Sequence, residues 1–281
     1  MKKGLKVFLI IGISLVLVGA ILLAVSVSLF NLNFKTLTTT KFVNKTHKIE
    51  DKITAIDIDA LESDVVVKTA SDGIAKVTLR ESDKIYHKVE VVDGVLKISY
   101  RDDSKWYNRI GVYTDGYTVV VEVAPQSEMF TELKINSASG DILVAKDVLT
   151  ENISANSISG EINVMAHVAY GMSLKSVSGD IYTDTLNPMS LDLTTTSGDI
   201  KVDNMVVGGK GVLKSVSGDI ELNSCAAVGF DITTTSGDVE GNLLNEMTYN
   251  VKTVSGEVSV PDTFGAGICK ITTTSGDVEF E

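Results

Sequence analysis

Residues 174–181 read LKSVSGDI and residues 193–200 read LTTTSGDI, and this phrase returns eight times between Asn136 and Val278. Its versions in order are NSASGDI, NSISGEI, KSVSGDI, TTTSGDI, KSVSGDI, TTTSGDV, KTVSGEV and TTTSGDV. They centre on Gly140, Gly160, Gly179, Gly198, Gly218, Gly237, Gly256 and Gly276, at spacings of 20, 19, 19, 20, 19, 19 and 20 residues. A fixed period of this length marks a stacked repeat, because one such unit cannot bury its own apolar face.

Working outward from each glycine shows what the repeat buries. Five residues before it stand Ile135, Ala155, Leu174, Leu193, Leu213, Ile232, Val251 and Ile271; two after it stand Ile142, Ile162, Ile181, Ile200, Ile220, Val239, Val258 and Val278. Apolar and polar positions alternate at period two on both sides, so both flanks are strands. The alternation slips at Ser-Gly-Asp, where glycine permits a positive φ or a close approach of backbones. The expected fold class is all-β: a β-solenoid of about eight coils of 19–20 residues. A rival register of 38–39-residue coils is also open, since KSVSGD and TTTSGD copies alternate. That register would stack Lys175, Lys214 and Lys252 on one another, whereas single-repeat coils interleave each lysine with a threonine. The shorter coil is favoured.

The formal charge of the 281-residue chain is −12. Residues 131–281 hold 8 lysines, 21 acids and no arginine, which repels a polyanion and excludes nucleic acid as a partner of the repeats. Cys225 and Cys269 fall about two coils apart, beyond the roughly 7 Å a disulfide spans, and are expected unpaired and semi-buried.

Met1–Lys6 is basic, and Val7–Phe30 runs 24 residues without a charge. As a helix this stretch is about 36 Å long, enough to cross a bilayer core of about 30 Å. Residues 1–30 therefore read as a cytoplasmic basic tip and a single transmembrane anchor, favoured over a cleaved signal peptide. Residues 31–52 read as a linker, 53–130 as an irregular β region capping the solenoid, and 131–281 as the solenoid itself. Within 53–130, the runs around Ile56–Ile58 and Val65–Val67 resemble a decayed repeat with Ser63 at the corner. The body is expected outside the cytoplasm. The chain stops just after its last strand, where Glu279 and Glu281 read as guards against edge pairing, a partner being the alternative cover.

Two groups of residues are candidates for function. The residue after each corner glycine is acidic: Asp141, Glu161, Asp180, Asp199, Asp219, Asp238, Glu257 and Asp277. In register these form an acidic ladder, suited to calcium, although the G-G-x-G-x-D pattern of calcium-binding solenoids is absent. The favoured reading is that each acid accepts backbone hydrogen bonds at its corner. The second group lies in the long segment Tyr100–Tyr117, where Arg101, Trp106, Tyr107, Arg109 and Tyr113 suggest a binding loop. Catalysis finds no footing. His47, His87 and His167 lack metal-ligand spacing, the G-x-S-x-G elbow is missing, and no catalytic residue, cofactor or metal is assigned.

The layout of hydrophobic anchor, irregular β segment and successive S-x-S-G-D-[IV] repeats resembles a bacterial family of adhesin-like domains of unknown function that includes Lia-type cell-envelope stress proteins of Gram-positive bacteria. The resemblance covers about residues 50–281 and implies a β-solenoid at the cell envelope, with no catalytic residues to carry over. The leading expectation is thus a non-enzymatic, membrane-anchored, extracytoplasmic solenoid that binds an envelope polymer or a partner protein. An envelope-stress modulator acting through a membrane partner is the second reading, and a carbohydrate-active β-helix enzyme the third.

Overall fold

In the computed structural model, the structure describes residues 42–103, 116–125, 128–184 and 187–281, together with Gly19. Of the chain's two compact units, the one comprising Phe42–Asp103 and Gly116–Glu281 contains all the described residues but Gly19. The expected anchor at 1–30 (Gly19 apart) and residues 31–41 of the linker lie outside the described residues. No helix among the described residues is long and apolar enough to cross a membrane.

The strands follow in chain order. Residues before the repeats give β1 (Val43–Lys48), β2 (Ala55–Leu61), β3 (Asp64–Thr69), β4 (Lys76–Glu81), β5 (Ile85–Val92), β6 (Val95–Asp102) and β7 (Thr118–Val123). The first repeats give β8 (Phe130–Ser137), β9 (Ile142–Val144), β10 (Leu149–Asn156), β11 (Ile162–Val164), β12 (His167–Lys175), β13 (Ile181–Asp184), β14 (Ser190–Thr194), β15 (Ile200–Asp203) and β16 (Val206–Lys214). The rest are β17 (Ile220–Thr233), β18 (Val239–Leu243), β19 (Met247–Lys252), β20 (Val258–Ser259), β21 (Gly267–Thr272) and β22 (Val278–Phe280).

Equivalent strands pair in parallel, each coil contributing one strand to each of two ladders. In the first ladder, Ile58 opposes Ile135, Ile135 opposes Ala155, and the register continues through Leu174, Leu193, Leu213, Ile232 and Ile271 to Val251. In the second, Val65, Ile142, Ile162, Ile181, Ile200, Ile220, Val239, Val278 and Val258 follow one another. These side chains face inward and, Val251 and Val258 apart, are buried. Each sealed Ile, Leu or Val is worth about 1.5–3 kcal/mol. β17 serves both ladders, its first residues pairing with β15 and its last with β16.

The fold is therefore an all-β solenoid with a one-repeat coil, and the double-length register is excluded. Lys175 lies against Thr194, and Thr194 against Lys214, so the lysines are spaced apart by threonine. Interior volumes compensate between neighbouring coils. Gly211 leaves the space that Phe230 fills, a Cβ at 211 falling 2.6 Å from the Phe230 ring.

Two features depart from the sequence expectation. The last repeat does not lie at the end of the stack: β21 pairs with both β17 and β19, and β22 with both β18 and β20. The corners thus stack in the order Gly237, Gly276, Gly256, and Glu279 and Glu281 guard no edge. Residues 260–266 make this possible by leading the chain back past the start of β19, where the Thr263 hydroxyl donates to the Met247 carbonyl at 2.7 Å. The two cysteines, expected to be semi-buried, are fully buried thiols, unpaired with each other.

At the first end, strands run antiparallel. β4 pairs with β7 and β1 with β4 on one ladder, and β5 pairs with β6 on the other. β5 and β6 are joined at Asp93 and Gly94, both with positive φ, which is the Asp-Gly turn of a tight hairpin.

Candidate functional site

The most ordered surface feature of the unit is the edge formed by the repeated corners, and each residue of the phrase has its own task there. Three residues before each glycine a Ser or Thr hydroxyl accepts the glycine's own amide: Ser176 for Gly179 at 2.9 Å, Thr195 for Gly198 at 3.2 Å, Ser215 for Gly218 at 2.9 Å. At Thr195, Ser215, Thr234 and Thr253 the same hydroxyl also donates to the corner carbonyl of the neighbouring coil, as Thr195 does to Gly179 at 3.3 Å and Thr234 to Gly218 at 3.4 Å. One side chain there serves a main-chain donor and a main-chain acceptor without a water.

The glycine itself is required by crowding. A Cβ at Gly198 would overlap the carbonyl of Gly179, and the same clash recurs at every corner from Gly140 to Gly276. None of these corner glycines has a positive φ, so close approach is the reason for the residue and left-handed backbone is not. Ser63 occupies the corner of the first coil, and its carbonyl is the one that a Cβ on Gly140 would strike.

The acidic residue then ties one coil to the next. The amide of Asp199 donates to Asp180 Oδ1, that of Asp219 to Asp199 Oδ1 and that of Asp238 to Asp219 Oδ1, all at 2.8 Å. The row begins at Asp64, which accepts the Asp141 amide at 3.1 Å, and ends with Glu257, whose amide donates to Asp277 Oδ1 at 2.7 Å. Asp141, Glu161, Asp180, Asp199, Asp219, Asp238, Asp277 and Glu257 thus stand in one exposed line. Adjacent members are one strand step apart, about 4.8 Å. Asp64 is a ninth member that the sequence reading left out, although Ser63 before it marked the corner.

Beside this line the outer face of the second ladder is acidic too. A hollow of about 410 Å³ is lined by Glu161, Asp180, Asp199, Asp219, Glu221 and Glu240, together with Tyr182 and Lys201. Lys201 donates to Glu221 at 2.8 Å, holding that carboxyl below its usual range and raising the lysine. Among the described residues no group of three or more His, Cys, Asp or Glu is arranged to hold a metal ion.

Of the expected binding loop, Arg101 is exposed near the end of β6, where it donates to the Tyr100 carbonyl at 2.9 Å. Trp106, Tyr107, Arg109 and Tyr113 lie outside the described residues. Sequence reasoning missed a buried polar group under the first coil. Glu81 accepts the His87 main-chain amide at 2.9 Å and pairs with Lys45 at 2.9 Å, while the His87 ring meets the Ser63 hydroxyl at 3.4 Å. The carboxylate holds the main chain of His87, not its ring, and Ser63 is sealed from solvent, so the group closes the coil's end rather than presenting a nucleophile. Burial pushes the His87 pKa down, against weaker opposing effects of the Ala60 carbonyl, Glu81 and Asp59.

Together, the fold and this edge define a β-solenoid with an acidic spine. The chain belongs to the Toastrack DUF4097 family, which matches residues 53–266. No curated protein matches it. Among solved structures it is similar to a protein of Bacteroides fragilis described as a "putative adhesin", at 15% identity and a TM-score of 0.54, covering 87% of this chain and 99% of that one. A second "putative adhesin", from Parabacteroides distasonis, is similar at 12% identity and a TM-score of 0.54, covering 87% and 98%. A "putative lipid binding protein" of the same species is similar at 18% identity and a TM-score of 0.50, covering 85% and 96%. At these identities the likeness is one of fold.

Proposed function

We propose that this protein is a non-enzymatic binding protein of the cell envelope, anchored by residues 7–30 and displaying its solenoid outside the cytoplasm. Its acidic spine engages cationic groups spaced along an envelope polymer or on a partner protein. The observation that carries this reading is the line from Asp64 to Glu257, in which carboxylates recur at every coil on a backbone fixed by its own hydrogen bonds. A rigid row loses little freedom on binding, and a field of one sign steers an oppositely charged ligand towards it. The adhesin descriptions of structures with the same fold agree with a binding role.

The test is retention of the full chain on isolated envelope material, compared with D180N/D199N/D219N. Asparagine keeps the oxygen that accepts the neighbouring amide and removes only charge. Retention that weakens with salt and falls at least tenfold in the triple variant is expected. Equal retention of the two proteins, or none by either, overturns the proposal.

A further inference from the structure

The two ends of the stack are built differently. Antiparallel strands close the first end, whereas at the other β19 pairs only with β21 and β20 only with β22 among the described residues. Positions sealed in the inner coils open there. Val258 is 47% exposed although its equivalent Val278 is 1% exposed, and Phe264, in the segment between β20 and β21, is 85% exposed. Val251 and Val260 are half-buried. The Lys252 carbonyl accepts the Thr273 amide at 2.9 Å, so the alternation of a parallel ladder turns the N–H and C=O of Tyr249 and Val251 to the open side. An edge of this kind is a template for another strand.

We propose that this end joins a second copy of the same chain, β19 pairing antiparallel with its counterpart about a two-fold axis at Tyr249. In that register β19 and the residue before it complement themselves. On the inward face Met247 opposes the second copy's Val251, and the two Tyr249 rings meet. On the outward face Thr248 opposes Asn250 and the exposed Glu246 opposes the exposed Lys252, giving two opposite-charge pairs across the junction. A slip of one residue sets apolar against polar side chains, and a slip of two separates both charge pairs. An isologous contact of this form closes on itself and stops at a dimer.

Sedimentation of the full chain, held in mild detergent because of its apolar run Val7–Phe30, reads the mass. Two chains of 30.0 kDa per particle at micromolar concentration are expected. E246K alone and K252E alone each place like charges opposite one another and should raise the dissociation constant on the order of tenfold. Mixing the two variants restores association, because each then meets its opposite. T248C mixed with N250C should form a disulfide-linked dimer, and neither alone should do so at a comparable rate. Cys225 and Cys269 do not compete, since burial raises their thiols to about 11 and about 12. A single chain per particle throughout, association unchanged by either charge variant, or cross-linking of T248C alone as fast as the mixture overturns the proposal. Capture of a different protein by an otherwise monomeric chain overturns it equally.

Discussion

Asp199 and Gly198 show how differently adjacent residues of one phrase contribute. Gly198 → Ala puts a methyl group into the Gly179 carbonyl, and neither backbone can retreat because both are held in the ladder. We expect G198A to cost about 3 kcal/mol or more, read as a lowered thermal midpoint. Asp199 → Asn keeps the acceptor for the Asp219 amide and should leave that midpoint nearly unchanged, whereas Asp199 → Ala removes it at about 1 kcal/mol. The acid's place in the turn was legible in the sequence, since Asp is an ordinary acceptor at a corner. That its donor belongs to the next coil was not, because only the register brings the two together. The hydroxyl three residues before the glycine was visible as a pattern. Its double role as acceptor within the turn and donor to the adjacent one needed coordinates.

Among the elements, the covering strands of the first end hold the titratable weak point. His87 on β5 is packed among Ser63, Glu81 of β4, Asp59 of β2 and Tyr100 of β6, and Lys45 of β1 pairs with Glu81 behind it. Burial depresses its folded pKa below the unfolded value of about 6.5. The unfolded chain therefore takes up the proton first as pH falls. This contribution to stability is complete above about pH 6.5 and is lost as pH descends through the folded value. H87Q should flatten the fall of the thermal midpoint between pH 7.5 and 5.5, with the first-end strands reporting the change. The positive φ of Asp93 and Gly94 closes the hairpin of β5 and β6. The pairing partners of β1, β4 and β7 were not readable, because irregular strands carry no period to fix a register.

At the scale of the whole described unit, period and alternation sufficed for the all-β solenoid and for the one-repeat coil, because lysine stacking penalised the longer register. The order of the final coils was hidden. Every repeat offers nearly the same inward face, so the sequence alone does not distinguish Gly256 from Gly276 as the neighbour of Gly237. In the structure Phe280 opposes Gly241, and its ring lies 5.5 Å from that of Tyr249. Because stability in a stack is carried by contacts between neighbours, β19 and β20 depend on β21 and β22. Pulsed hydrogen exchange during refolding should show amides of β19 and β20 gaining protection no earlier than those of β21 and β22. Earlier protection of the outer pair would show that it first docks elsewhere.

That threading also bears on synthesis. A ribosome releases β19 and β20 before β21 and β22 exist, so the growing rod cannot simply be extended one turn at a time as the polypeptide emerges. In the finished stack the place beside Gly237 belongs to the closing segment, which arrives last, and until then the nascent molecule presents bare strand margins to its surroundings.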